Sequence, residues 1–418
     1  MPNKFLDSVD ILSVLKPLDL GLMAFFVVFF LLTPKFLAKQ TCQQSDQSYL
    51  LMDRGLNLPL FVATLTSTWY GGIFGVTQIA FKHGLYSFVT QGLSWYAAYL
   101  LFALVLAKKI RRSKVLSLPE LIGLRFGLKA RQLSGVLLFF HALPVTYALS
   151  VGLLLQIVLG LSLPLAIVLG VSIVAIYSIW GGFKGVVITD AAQFLLMFGS
   201  VSMILAFSIY YFGAADFLSS NLPESYFNWR GDNSPIAVGT WFIVACSTTL
   251  VHPVFYQRCL AAKSDQIAVR GILLAILCWF FFDCCTTLGG MYAKALIPEA
   301  DSAKAYLFYS LQLLPAGLRG LFITGILATI LSTLDSFLFV SGTSLSYDLL
   351  GTKKLGHQSM IGLSALLTLT IAIFFKADFE NMWLFREGIF GASLIIPVSL
   401  TLLSRKKLKQ HLKNFNDN

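Results

Sequence analysis

Eleven long apolar blocks follow one another along this sequence of 418 residues, and they restrict what the chain can fold into. A helix needs about 20 mostly apolar residues to cross the hydrocarbon core of a bilayer. Only 12% of the residues are charged, against about a quarter in a typical soluble domain, and the charges fall between the blocks. The sequence therefore predicts an all-α polytopic membrane protein with about eleven transmembrane helices, at residues 17–38, 57–81, 85–107, 131–160, 163–180, 183–212, 236–257, 267–293, 317–347, 358–376 and 382–404.

The connecting segments carry the basic residues, and their sum on each face predicts the orientation. An odd number of spans puts the termini on opposite faces, and cytoplasmic loops are enriched in Lys and Arg. One face holds 22 of the 31 Lys and Arg, including Arg258 and those after Ser404, and the other holds 9. We therefore expect a multi-pass protein of the plasma (inner) membrane, with the N-terminus outside and the C-terminus cytoplasmic. The bilayer is its expected partner, and nucleic acid is not. Residues 306–314 predict a short amphipathic helix on the surface.

Several motifs of catalysis and nucleotide binding are absent from the sequence. There is no GxxxxGK[ST] phosphate loop, no HExxH and no GxSxG. The five His are scattered without an i,i+4 pair, and the Cys show no paired spacing. These absences argue against an enzyme and against ATP-driven pumping by this chain alone. An ion-coupled or passive carrier, a channel or an assembly partner remains.

Two of the apolar blocks are interrupted. The second is polar and glycine-rich from Ala63 to Gly75, and the seventh is polar before it meets His252 and Pro253. Because backbone groups in hydrocarbon need internal partners, a broken span inside a bundle usually lines a cavity. If the first span is an addition to a core of ten spans, the two breaks fall in the first and the sixth core spans. Breaks at these two positions are typical of inverted-repeat transporters. Alternatively, they reflect the general frequency of Gly and Pro in membrane helices, with Ser and Thr bonding back to the preceding turn.

Three acidic residues lie inside predicted spans, where a central Asp costs about 2.5–3.5 kcal/mol on insertion scales. Asp335 shares a helical face with Ser332 and Ser336, and clustered hydroxyl and carboxylate oxygens suit a hard cation such as sodium. The alternative is that these small residues only allow helices to pack closely. Asp283 is either a counter-ion for a cationic substrate or the partner of a neighbouring hydroxyl. Asp190 is the third.

Four segments carry motifs that occur together in one family. Residues 180–193 fit GG-x-K-x-V-x-x-TD-x-x-Q, and residues 253–264 contain QR-x-x-x-AK. With the broken segment 63–75 and the segment 317–336, they stand in an order that resembles the sodium:solute symporter family, which includes sodium/proline, sodium/glucose and sodium/sialic acid carriers. The resemblance covers the chain from about residue 50 to 404.

The resemblance implies a LeuT-type fold, a 5+5 inverted repeat with one extra N-terminal span, working by alternating access. On this basis the chain divides into an extra span with its loop, a first five-helix repeat, a second five-helix repeat and a basic cytoplasmic tail, at residues 1–50, 51–212, 213–404 and 405–418.

The resemblance also implies site residues. A sodium ion, the coupling ion, would lie between core helices one and eight, held by carbonyls and hydroxyls of Ala63, Thr66, Thr329, Ser332 and Thr333. A second cation site would involve Asp190, Asp335 and Ser336. The carboxylate at 335 stands where some members carry a hydroxyl, and it would strengthen the site or accept a proton. The candidates for solute binding are Ser67, Trp69, Tyr70, Gln78, Trp241 and Asp283. Trp69 and Tyr70 either stack on the solute or pack against core span six.

The working hypothesis is a secondary active transporter, not an enzyme, that couples sodium entry to uptake of a small organic solute. One alternative is a proton-coupled carrier that uses Asp190 or Asp335. The other is a non-transporting sensor or assembly subunit that keeps the fold without flux.

Overall fold

The computed structural model describes residues 15–40, 45–351, 354–374, 389 and 391–403. Over these residues the regular secondary structure is helical, apart from an isolated parallel bridge between Leu56 and Ala262. The first helices in chain order are α1 (Pro17–Gln40), α2 (Asp46–Leu51), α3 (Leu58–Ser67), α4 (Ile73–His83), α5 (Leu85–Arg112), α6 (Leu118–Phe126), α7 (Leu128–His141), α8 (Val145–Leu159) and α9 (Leu163–Phe212). They are followed by α10 (Ala215–Asn221), α11 (Pro235–Val251), α12 (Pro253–Ala261), α13 (Asp265–Leu296), α14 (Ala305–Leu313), α15 (Leu318–Thr343), α16 (Lys354–Phe374) and α17 (Ala392–Leu403).

Each of the eleven predicted blocks overlaps at least one of these helices. Among the described residues, six helices are long and apolar enough to cross a membrane, or seven spans if the bent pair α11 and α12 counts as one. Shorter apolar helices cover Pro17–Thr33 and Ala392–Leu402. The end of the tenth predicted block and the start of the eleventh lie outside the described residues.

The helix α9 consists of two halves that meet at Gly182. This glycine has φ 57° and ψ −166°, a conformation that residues with a side chain rarely adopt. Tyr177 and Asp190 lie on either side of it and would be about 20 Å apart along a straight helix. Their side chains nevertheless bond to one turn of α15, at Asp335 and Ser332. The chain therefore reverses direction at Gly182, which confirms the predicted boundary between the fifth and sixth blocks.

Both predicted helix interruptions are present. In the first interrupted block, helix α3 ends at Ser67. A 3₁₀ turn follows at Tyr70–Gly72, and the chain then continues as helix α4. The second is bent by 46° between α11 and α12 at His252. The ψ of His252 is 110°, in the extended region that a following proline imposes on its neighbour. The glycine and proline signals in the sequence therefore placed both breaks correctly.

The first break lies directly against α15. A Cβ atom on Gly71 would come within 2.7 Å of the Thr333 Cβ, so only glycine lets the two segments approach this closely. On α13, the indole N–H of Trp279 donates to the backbone carbonyl of Thr66 at 3.2 Å. The end of α3 is thus held between α13 and α15.

The extra N-terminal helix is joined to the start of α15 through a buried carboxylate. Asp19 Oδ1 accepts hydrogen bonds from the backbone N–H groups of Gly317 and Gly320, both at 2.7 Å. A carboxylate is favoured there because the first N–H groups of a helix lack partners and carry partial positive charge. This contact fixes α1 against the core of the bundle.

The segments that flank the two broken helices are tied together. Leu56, just before α3, donates its N–H to the Ala261 carbonyl at 3.1 Å and accepts from the Lys263 N–H at 2.9 Å. Beside it, Arg54 donates to the carbonyls of Lys114 and Leu260 at 2.6 and 3.3 Å. Burial lowers the pKa of Arg54 to about 10. The start of α3 and the end of α12 are therefore one connected unit.

The expected surface position of residues 306–314 is wrong. The helix forms, as α14, but most of its length is buried. The Tyr309 hydroxyl shares a 2.6 Å hydrogen bond with Ser208 of α9, and the Tyr306 ring packs so closely on Gly289 of α13 that no Cβ would fit there. The rings of Tyr306 and Tyr309 fill space against α13 and α9, so the helix is part of the interior.

Candidate cation and solute site

The carboxylate of Asp190 joins three helices in the centre of the bundle. Its Oδ1 accepts a hydrogen bond from the Ser332 hydroxyl of α15 at 2.6 Å. Its Oδ2 accepts from the Thr64 hydroxyl of α3 and from Arg258 Nη2 of α12, the latter at 3.2 Å. Asp190 is completely buried. A buried carboxylate is tolerated only when it is paired and hydrogen-bonded, and these contacts meet that need.

The guanidinium of Arg258 is the cationic partner in this cluster. Its Nη2 also donates to the hydroxyls of Ser336 at 2.6 Å and Thr68 at 3.2 Å, and Nη1 donates to the Gln257 side chain at 2.8 Å. The side chain is 0% exposed and lies over the Phe183 ring at 5.2 Å.

Counting Arg258 among the loop charges was therefore a wrong interpretation of the sequence. The signal that was available is its position directly after an apolar block, together with a carboxylate at 190 that needs a counter-charge.

We call the polar atoms of Thr64, Thr68, Asp190, Ser332 and Ser336 the oxygen cluster. Asp335 lies beside it on α15, where one carboxylate oxygen accepts from the Tyr177 hydroxyl at 2.9 Å. The other, Oδ1, is buried and has no hydrogen-bond partner among the described residues. The residues predicted for a second cation site are thus close together, with the guanidinium of Arg258 between Asp190 and Ser336.

The residues predicted for the first sodium site flank the oxygen cluster. Ala63 and Thr66 stand on either side of Thr64, and the Thr64–Asp190–Ser332 contacts connect that turn to α15. The Thr333 hydroxyl donates to the Thr329 carbonyl at 3.2 Å. Hydroxyl and carbonyl oxygens that take part in one hydrogen bond keep a lone pair for another interaction. All five predicted ligands are buried.

Aromatic rings surround the first break. The ring centroid of Trp69 lies 4.8 Å from that of Trp95, 5.3 Å from Tyr99, 5.2 Å from His252 and 6.1 Å from Trp279. We call these five residues the aromatic cluster. Both broken helices contribute to it, together with α5 and α13. Trp69 alone of the five was predicted to bind the solute. His252 was noted only as the residue before Pro253 in the second break. Nothing local marks Trp95, Tyr99 and Trp279, because aromatic residues are frequent in membrane helices.

The carboxylate of Asp283 is paired with tyrosine hydroxyls, in agreement with the second of its two interpretations. Tyr70 donates to Oδ1 at 2.6 Å, and Tyr96 donates to Oδ2. The Tyr70 ring also packs on Phe282, with centroids 3.9 Å apart. Asp283 therefore orients the side chain of Tyr70 next to the first break. Ser67, the last residue of α3, is buried one turn before Tyr70.

Gln78 and Trp241 lie farther from the aromatic cluster. Gln78 donates to the Ser302 hydroxyl at 3.0 Å, beyond the end of α13. Trp241 lies on α11, eleven residues before His252, which corresponds to roughly 16 Å along a helix. Of the six candidates for solute binding, the structure thus places four next to the first break and two at other levels of the bundle.

A profile of the sodium:solute symporter family matches residues 49–401. A putative sodium-dependent multivitamin transporter of Drosophila melanogaster is 28% identical over 328 residues, which is 71% of this chain and 53% of that protein. The sodium/pantothenate symporter of Escherichia coli is 24% identical, over 79% of this chain and 71% of that protein. Human sodium/glucose cotransporter 4 is 25% identical, over 79% and 55%. The chain spans about half the length of the first and the last of these.

Solved structures show the same architecture. A Na⁺-coupled sialic acid symporter in a substrate-bound outward-open state superposes with a TM-score of 0.78 and 16% identity, covering 93% of this chain and 87% of that one. A nucleobase-cation-symport-1 family transporter in a closed conformation gives 0.59 and 13%, covering 87% and 82%. The predicted LeuT-type, all-α polytopic membrane fold is thereby confirmed.

Proposed function

Because this chain belongs to the sodium:solute symporter family, we propose that it is a secondary active transporter that couples sodium entry to uptake of a small organic solute by alternating access. The observation that carries the proposal is the buried Asp190 carboxylate, which links the broken helix α3 to α15 through the Thr64 and Ser332 hydroxyls. An oxygen-rich site between a broken helix and an intact one responds to a cation by changing how the two helices pack.

The coupling sodium binds the carbonyls of Ala63, Thr66 and Thr329 and the hydroxyls of Ser332 and Thr333. Hard oxygen ligands without sulfur or imidazole suit an alkali cation. Asp190, Asp335 and Ser336 form a second cation site, where the free Oδ1 of Asp335 provides an unused acceptor and Arg258 bonds to Asp190 and Ser336. Sodium can bias the conformational equilibrium only through a difference in affinity between states, and ligands from two separate helices provide that difference.

The solute binds beside the first break, against the aromatic cluster. Five rings from four helices form a surface that packs on an apolar or sugar-like face. Because both oxygens of Asp283 accept tyrosine hydroxyls, its negative charge is stabilised without a cationic solute. We therefore expect a neutral or anionic organic solute. The relatives named above for multivitamins, pantothenate and glucose supply the first compounds to test.

In the membrane, the N-terminus lies outside and the C-terminus lies in the cytoplasm, as the distribution of basic residues favours. Sodium enters from the outside, binds between α3 and α15, and stabilises the state that accepts the solute. The membrane potential then contributes about 2.3 kcal/mol per charge per 100 mV, in addition to the sodium gradient.

Thermal unfolding of the purified protein in sodium chloride, compared with potassium or choline chloride, tests the sodium site. A ligand of the folded state raises the unfolding temperature in a saturable way. We expect a sodium-specific rise that disappears in Ser332→Ala/Thr333→Ala. The matched control is Ser202→Ala/Thr370→Ala, which removes a serine and a threonine hydroxyl that donate to their own helices. An unchanged sodium response in the first double variant would refute the ligand assignment.

The proton-coupled alternative uses Asp190 or Asp335, and the Oδ1 of Asp335 has no partner among the described residues. It predicts stabilisation and uptake that follow pH and are the same in sodium and choline. The sensor alternative predicts saturable solute binding without counterflow in liposomes. The thermal experiment and a counterflow assay together distinguish the three functions.

A further inference from the structure

The Nη2 atom of Arg258 stands among four oxygens from three parts of the bundle. These are a carboxylate oxygen of Asp190 and the hydroxyls of Thr64, Thr68 and Ser336, at 2.6 to 3.2 Å. A bound alkali cation would need the same kind of surroundings, namely several oxygens converging on one point with one negative charge among them. The guanidinium therefore has the environment of a bound cation, but it is covalently attached to α12.

The charges of the oxygen cluster and the adjacent Asp335 do not balance. The described contacts bring two carboxylates, Asp190 and Asp335, and one guanidinium to this place. If both carboxylates are ionised, a single positive charge is missing. Buried charges are stable when they are paired. The unpaired negative charge can therefore stabilise one further monovalent cation, bound next to the guanidinium or in its place.

We propose that Arg258 is a tethered cation that competes with sodium for the carboxylate of Asp190 at the second cation site. The inference rests on the proposed function, since that site and its sodium are part of it. When sodium binds, Asp190 and Ser336 exchange the guanidinium for the ion. When sodium leaves, Arg258 returns and satisfies the carboxylate. The arginine thereby limits how tightly sodium is held and allows its release.

The structure also indicates where the guanidinium goes. Its neighbour Gln257 accepts from Nη1 at 2.8 Å and lines a cavity that Ser117 and Asp348 line as well. Polar groups on that side can receive the guanidinium after it leaves Asp190.

Release of Arg258 removes the contacts of α12 with α9 and α15 at this level. Because the end of α12 is tied to Leu56 before α3, the two broken helices respond together. Sodium binding thus changes the positions of both broken helices.

The test is equilibrium binding of radioactive sodium to the full-length purified protein, with Arg258→Gln as the main variant. Without its competitor, sodium should bind at least tenfold more tightly. Thr68→Val removes an acceptor of the guanidinium that is not among the proposed sodium ligands, and it should tighten binding about threefold. Asp190→Asn/Arg258→Gln should lose the gain. The matched control is Arg112→Gln, which breaks another arginine–aspartate pair, with Asp265, away from both the oxygen cluster and the cavity lined by Gln257. It should leave sodium affinity within twofold of the wild type.

The outcomes separate the two proposals. If wild-type sodium binding is lost in Ser332→Ala/Thr333→Ala but Arg258→Gln binds sodium no more tightly than the wild type, the competition is refuted and the sodium site stands. If the wild type binds no sodium and Arg258→Gln binds it saturably, the competition is supported and sodium coupling of the wild type is refuted. If neither binds, both are refuted. If Arg258→Gln does not fold, Thr68→Val decides, and an unchanged affinity in that variant refutes the competition.

Discussion

At the scale of single residues, Asp19 gives the most direct prediction for stability. Its carboxylate caps the start of α15 through two N–H groups, and it is completely buried. Asp19→Ala leaves both N–H groups without that partner, so we expect a loss of about 1–2 kcal/mol of stability, typical of losing a helix cap. The unfolding temperature measures it. Asp216→Asn, an exposed acidic residue in the first turn of α10, is the control and should change little. Equal unfolding temperatures for Asp19→Ala and the wild type would contradict the capping role.

Tyr70 carries a second prediction at this scale. Its hydroxyl donates to Asp283 at 2.6 Å in a buried setting. Tyr70→Phe removes one donor from a buried carboxylate, which costs about 1–3 kcal/mol. In Tyr70→Phe/Asp283→Asn the loss should be smaller than the sum of the two single losses, because the pair acts as a unit. Tyr210→Phe, at a tyrosine that is 82% exposed, serves as the control. Strict additivity of the two single losses, measured by chemical denaturation, would mean that the hydroxyl and the carboxylate do not support each other.

The residues also show what a sequence can and cannot reveal about a site. Asp190 and Ser332 were predictable, because a carboxylate in an apolar block and a hydroxyl-rich helical face both stand out locally, and the structure places them 2.6 Å apart. The signal for Arg258 is weaker. Loop charges also follow apolar blocks, and only the folding of α12 against α3 and α9 brings Arg258 to Asp190. Residues whose role depends on long-range contacts were missed for this reason.

At the scale of helices, two adjacent glycines in the first break offer a matched pair. A Cβ on Gly71 would approach Thr333 to 2.7 Å, whereas a Cβ on Gly72 would meet no atom within 4 Å. Gly71→Ala must therefore push the break away from α15 and separate the two halves of the sodium site. We expect at least tenfold weaker sodium binding for Gly71→Ala and an unchanged affinity for Gly72→Ala, measured by the sodium dependence of thermal unfolding. Equal affinities in the two variants would show that the sodium site does not depend on this approach.

The helix boundaries were predictable wherever backbone chemistry decides them. Pro253 ends one helix and starts another, and Gly182 allows the chain to reverse, so both positions follow from local rules. The position of α14 in the interior did not follow from local rules. Its short apolar pattern predicted the helix, but which neighbours cover each face depends on the packing of Tyr306 and Tyr309 against α13 and α9.

At the scale of the whole molecule, the charge moved per cycle is the quantity to predict. With Arg258 already neutralising one carboxylate of the oxygen cluster, we expect one sodium per solute in the wild type. A neutral solute such as glucose, if accepted, then carries one net positive charge inward. A potential of 100 mV, negative inside, contributes about 2.3 kcal/mol, which corresponds to roughly 40-fold higher accumulation. A singly charged anion such as pantothenate would move without net charge and should not respond.

Proteoliposomes with a potassium diffusion potential provide the measurement, using labelled glucose and labelled pantothenate in parallel. Sodium replaced by choline should abolish accumulation at every potential, and Ser332→Ala/Thr333→Ala should behave like the choline sample. Potential-driven accumulation of pantothenate would mean that more than one cation accompanies each solute. In that case Asp335 and Ser336 hold a second ion beside Arg258, because the Oδ1 of Asp335 has no hydrogen-bond partner among the described residues. The dependence of solute accumulation on voltage thus measures how many cations bind at the buried carboxylates of α9 and α15.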